Sequence, residues 1–184
     1  QELNVVHESM IRTQSDHANT ELIQELTENT VTGGVSMINR ALADLWTGQE
    51  EHELLMHDWY LGLLASAFGQ LVYLDQPGEL YRQHSNNVLG ARTLRKRMKN
   101  WIHPSRLFVK YWKLIKDSQT QARNLLSQPL TTENREIIEN FVTIMEAPFA
   151  ERLRRIRKYG YRKNRAFHTL VFTTLILTKF AYKE

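Results

Sequence analysis

Three short stretches hold the side chains able to do chemistry. The first is His57-Asp58-Trp59. A carboxylate at the start of an apolar helix has two uses: it accepts backbone N–H groups as an N-cap, or it takes a proton as a general base. The residues alone leave both open. The second is Thr32-Gly33-Gly34-Val35-Ser36-Met37-Ile38-Asn39-Arg40, where paired glycines interrupt a strand-like run. Such a pair marks a bulge or a place where something must approach the backbone closely. The third is Tyr81-Arg82-Gln83-His84-Ser85-Asn86-Asn87, just after the Pro77-Gly78 turn. Its His84 is either a solvated or core-satisfied imidazole or a metal ligand.

Other chemistries are excluded. The chain has no cysteine, which removes disulfides, thiolate metal sites and cysteine nucleophiles and fits a reducing compartment. His52-Glu53-Leu54-Leu55-Met56-His57 resembles a zinc-protease helix with one residue too many. Ligands five apart on a helix stand about 140° around the axis and cannot hold one ion. Neither a phosphate-cradling glycine loop nor a Gly-x-Ser-x-Gly elbow is present. No basic stretch followed by an apolar run marks a signal peptide.

The elements that must position these residues change character along the chain. Residues 3–7, 31–38 and 71–74 read as strands, and residues 16–28, 39–46 and 58–68 as helices, the last apolar on most sides. Strand and helix in this order predict an α/β layer to about residue 90. Beyond it, 92–103, 105–127, 133–147, 149–159 and 167–182 read as helices punctuated by Pro104, Pro129 and Pro148, with Thr132 at a helix start. We therefore expect two parts, 1–91 and 92–184.

In their order and spacing, the three stretches resemble the acceptor-side half of family 2 glycosyltransferases, including rhamnosyltransferase-like enzymes of bacterial surface polysaccharides. The resemblance covers residues 1 to about 92. It implies a GT-A fold and an inverting transfer of sugar from a nucleotide-sugar donor to a saccharide or lipid-linked acceptor. By the resemblance Asp58 is the base, and Gly33, Gly34, His57 and Trp59 line the acceptor site. Arg82 and Gln83 meet the donor diphosphate, and His84 helps hold a divalent cation, Mg²⁺ or Mn²⁺. One departure is large: these enzymes hold the metal with an Asp-x-Asp, and none occurs in the 184 residues. The expectation is a C-terminal fragment lacking the donor half and inactive alone, with an exposed sheet edge that invites self-association.

The charge is divided. Residues 1–90 hold three Lys/Arg against thirteen Asp/Glu, and residues 91–184 hold twenty-one against seven, so −10 and +14 make the chain's +4. The basic part is expected to face something anionic: phospholipid, nucleic acid or the acidic half itself. Its cations form two clusters, Arg92 to Lys99 and Arg152 to Arg165, beside aromatic residues. Near an anionic leaflet each contributes about 1 kcal/mol. No nucleic-acid recognition motif accompanies them, and the apolar run 167–182 is too short to span a bilayer. A peripheral contact at the cytoplasmic face of a bacterial membrane is the expectation. The rival class is a non-catalytic helical module that binds membrane or an acidic partner, with residues 1–90 as scaffold.

Overall fold

In the computed structural model, helices carry all the regular structure among the described residues, which are 5, 20–47, 54–80 and 104–182, the first four of the last range by backbone only. A single turn, α1 (Leu22–Glu25), is followed by a 3-10 turn (Gly33–Val35), α2 (Arg40–Thr47) and α3 (His57–Phe68). The second part holds α4 (Pro104–Arg123), which runs into a 3-10 turn (Asn124–Ser127), then α5 (Thr132–Val142), a 3-10 turn (Ile144–Glu146), α6 (Phe149–Tyr159) and α7 (Ala166–Thr178).

The expected α/β class, and with it the GT-A fold, is corrected: no strand occurs among the described residues. Strands need neighbours for their N–H and C=O groups, and here the backbone closes on itself instead. Around Gly33-Gly34, Val35 N–H donates to the Thr32 carbonyl at 3.1 Å and Ser36 Oγ donates to the same carbonyl at 2.7 Å. Residues 71–74 run as irregular chain, with Val72 63% and Leu74 66% exposed. The strand over 3–7, Val5 aside, and the helix over 92–103 lie outside the described residues.

The second-half helices start and stop by ordinary end chemistry. Pro104 opens α4, where its missing N–H costs nothing. Thr131, one residue before the expected start, caps α5 by accepting from Asn134 N–H at 3.2 Å. Glu151 sits in the first turn of α6, Arg157 and Lys158 in its last, and Gly160 ends it at φ +70°. That left-handed conformation is open to glycine at little cost.

Among the described residues one apolar cluster joins the helices on both sides of residue 91. Tyr60, Leu63 and Leu64 of α3 are buried with Leu22 and Leu26 from the α1 segment. Trp112 and Ile115 of α4, Ile138 and Phe141 of α5, and Phe172 and Ile176 of α7 continue it. The helix that matters most to the site, α3, is fixed at both ends by amides. Gln121 of α4 donates to the Met56 carbonyl at 2.9 Å and accepts from Leu55 N–H at 3.1 Å. Asn134 of α5 donates to the Ala67 carbonyl at 2.8 Å. All three bonds are half-buried and give partners to backbone groups at the two ends of the helix.

Candidate functional site

Asp58 is the second residue of α3, with Met56 in the N-cap position. A carboxylate in the first turn suits the helix dipole, but its partners show more than capping. Trp59 N–H donates to Oδ1 at 2.7 Å. From the loop after α1, the Asn29 amide donates to Oδ1 at 3.2 Å and Gly33 N–H reaches Oδ2 at 3.4 Å, a long contact. The carboxylate is therefore oriented by a segment 25 to 29 residues away in sequence, and it remains partly exposed.

The loop is itself tied. Asn29 Oδ1 accepts from Val31 N–H at 2.9 Å, an Asx turn that leaves the amide nitrogen for Asp58. Gly33 lies under the exposed His57 imidazole: a Cβ there would stand 2.8 Å from Nε2 and 3.5 Å from Asp58 Cβ. Gly34 faces Glu79, whose carboxylate oxygens would be 3.2 and 3.3 Å from an added Cβ. Gly78 packs in turn on Val35, 2.9 Å from an added Cβ to Cγ1. The two glycines thus give the room in which the 57–58 and 78–79 segments meet one loop.

Of the sequence-derived residues, the structure brings together Gly33, Gly34, His57 and Asp58. Trp59 is 5% exposed and its indole N–H donates to the Glu25 carbonyl at 2.7 Å, so its ring belongs to the core. Arg82, Gln83 and His84 lie outside the described residues. Among the described residues no three His, Asp or Glu side chains gather as metal ligands. The expected metal ligand His84 is not among the described residues and the sequence has no Asp-x-Asp, so no step is routed through a cation.

Three site residues escaped the sequence reading. Asn29 bonds Asp58 and Glu79 faces Gly34, while Glu25 lies against Gly62 of α3 and holds Thr30 of the same loop. Glu79 directly follows the Pro77-Gly78 turn, the single sequence signal that a turn would carry it toward another loop. Glu25 is 0% exposed. Burial pushes its carboxyl up to about 8, against the opposing pull of its Thr30 hydrogen bonds. Asp58 and Glu28 add like-charge repulsion in the same upward direction.

The second basic cluster is largely paired within the chain. The Arg152 guanidinium donates to the Ala147 and Leu177 carbonyls, and Arg154 and Arg155 share Glu151 at 2.7 and 2.8 Å. Lys158 meets Glu136 at 2.7 Å, Arg162 meets Glu21 at 2.9 Å, and the buried Lys163 ammonium donates to the Thr27 carbonyl. Desolvation lowers the Lys163 pKa. A shallow groove of about 760 Å³ beside it is lined by Gln24, Arg162, Asn164 and Thr169 among others. The helix α7 exposes Phe167 and Leu170, yet no helix among the described residues is long and apolar enough to cross a membrane.

No protein-family model, curated protein or solved structure matches the chain.

Proposed function

We propose that the chain supplies the acceptor side of an inverting sugar-transfer site, with Asp58 as the base. The observation that carries the reading is one carboxylate at the start of α3 oriented by a distant loop, through Asn29 and Gly33 on its oxygens, with His57 over the glycine. A base must be held in one orientation, close to the hydroxyl whose proton it takes, and open on one side to admit it. Asp58 meets the first and last conditions. The acceptor oxygen would attack the anomeric carbon while its proton passes to Asp58. The bond from that carbon to the donor diphosphate breaks, and the electron pair leaves with the nucleotide. A nucleotide-sugar donor and a saccharide or lipid-linked acceptor of surface-polysaccharide synthesis are the substrates that the family resemblance suggests.

The rival reading, a non-catalytic module on an anionic surface, has less to draw on. Six of the eight cations from Arg152 to Arg165 already have partners in the chain. Within this cluster that leaves Arg157 and Arg165 for an external anion. A peripheral membrane contact through Phe167 and Leu170 is compatible with either reading and decides between them in neither direction.

Asp58→Asn introduced into the gene in its source cells tests the proposal, because the amide keeps the shape and loses the basicity. Loss of the cell-surface saccharide of at least a hundredfold, with the protein present at its normal level, is the expected result. Unchanged saccharide would remove Asp58 as the base.

A further inference from the structure

Glu25 lies at the end of α1, and its side chain is completely buried. One oxygen, Oε1, accepts from the Thr30 hydroxyl. The other, Oε2, is buried with no hydrogen-bond partner. It lies against α3 where that helix has a glycine: a Cβ on Gly62 would stand 2.9 Å from Oε2 and 2.8 Å from Val31 Cγ2. The Glu25 carbonyl accepts the Trp59 indole N–H at 2.7 Å. The residue therefore touches α3 through its backbone, and the loop through its side chain.

That loop is the one that orients Asp58. Thr30, held by Glu25, lies between Asn29 and Val31, the two residues of the Asx turn, and three residues before Gly33. We propose that Glu25 is a positioning residue for the Asp58 site, whose buried carboxyl clamps Thr30 and so sets the Asn29 and Gly33 donors on the Asp58 oxygens. The functional half of this inference rests on Asp58 being the base; the mechanical half does not.

An ordinary structural acid would not occupy this position. The charged groups around it are Glu28 on its own turn and Asp58 from α3, both of its own sign. The buried Lys163, which reaches the neighbouring Thr27, gives its ammonium to the Thr27 carbonyl. An ionised Glu25 would have an unpartnered oxygen and no counter-ion, a costly state in a buried place. The neutral acid needs neither. Above its pKa of about 8 the ionised carboxylate keeps its Thr30 bonds, but Oε2 is unmet and Glu28 and Asp58 repel it, so it is driven toward water and carries the Thr30 loop, and with it the Asp58 contacts, along.

The sign follows from linkage. Glu25 has a folded-state pKa above the ordinary 4.5, so its contribution to stability is full below pH 4.5 and is lost as pH rises through about 8. Glu25→Gln keeps the neutral shape and abolishes the titration.

The test is an NMR titration of the full 184-residue chain from pH 6 to 10, wild type beside Glu25→Gln. The Gly33 amide and Asn29 side-chain amide report on the Asp58 contacts. Gly69, at the far end of α3 with its N–H on the Ala65 carbonyl at 3.0 Å, reports on general unfolding. His57 lies over Gly33 in both proteins, so its contribution cancels in the comparison. The expected result is a transition near pH 8 at Gly33 and Asn29 that is missing from Glu25→Gln, with Gly69 unmoved. A transition near pH 8 that persists in Glu25→Gln, none there in the wild type, or equal movement at Gly69 would each overturn the positioning role. Should Glu25→Gln fail to fold, Thr30→Val removes the hydroxyl that Glu25 clamps. The Asn29 and Gly33 signals must then shift at pH 6, and unshifted signals overturn the proposal. These spectra do not depend on activity, so the Asp58→Asn result in cells can fail without them, and they without it.

Discussion

At the scale of single residues, the site depends on missing side chains as much as on present ones. Gly62 is the clearest case because two effects oppose each other there. Gly→Ala inside a helix gains about 1 kcal/mol of helix propensity. Against it, the new methyl would meet Val31 Cγ2 at 2.8 Å and Glu25 Oε2 at 2.9 Å, and overpacking of this sort costs about 1–3 kcal/mol. Both neighbours are confined, so packing wins. Gly62→Ala should lower stability by about 1 kcal/mol, read as a lower urea midpoint at unchanged slope, and a raised midpoint would mean that the pocket yields. Asp58, His57 and the glycine pair were legible in the sequence because their types are unusual for their settings. Asn29 and Glu25 were not, since an amide in a polar loop and an acid on a polar amphipathic segment look like solvated residues. Only packing shows that Glu25 points inward.

At the scale of elements, most helices were readable and strands were not. The expected helix 16–28 keeps a single turn at Leu22–Glu25 among its described residues, and three later ones end four or five residues early. The expected helix 149–159 matches α6, and 39–46 and 58–68 match α2 and α3 to within a residue at their starts, because end chemistry and helical spacing are both local. The expected strands at 31–38 and 71–74 rested on β-branched and apolar content, which a strand and an irregular stretch can share. What separates them is a neighbouring strand, and that is a property of the fold. End chemistry also predicts how α6 answers to acid. Its first-turn Glu151 is held down to about 2 by hydrogen bonds from Arg154 and Arg155, followed by the attraction of their charges. A lowered folded-state pKa contributes stability that is full above 4.5 and lost as pH falls through about 2. The first hydrogen-bonded amides of α6, beginning with Arg152 N–H on the Pro148 carbonyl at 3.0 Å, should thus begin to lose exchange protection below pH 4.5, and Glu151→Gln should show the weaker protection already at pH 6. Equal protection in the two proteins at pH 6 would mean that the Glu151 pairs are too solvated to matter.

At the scale of the whole molecule, the division of charge is answered partly from within. The acidic and basic parts meet where Arg162 pairs with Glu21 at 2.9 Å and Asn164 N–H donates to Glu28 Oε2 at 3.1 Å. Exposed pairs like the first are worth at most about 1 kcal/mol each, so they register the two parts without holding them. The continuous apolar cluster does the holding: Leu63 of α3 is 0% exposed, as are Leu125, Ile138 and Phe141 from beyond residue 91. A core shared in this way predicts one cooperative transition for both parts. Two indoles report on it separately, Trp59 on the Glu25 carbonyl at 2.7 Å and Trp112 on the Phe180 carbonyl at 2.8 Å. Followed by NMR in urea, both indole signals should vanish at one midpoint, and Leu63→Ala, a loss of about 2–5 kcal/mol, should move both together. Two midpoints, with only the Trp59 signal sensitive to Leu63, would instead make 1–91 and 92–184 separable units, and the Asp58 site would then have to be held by the first of them alone.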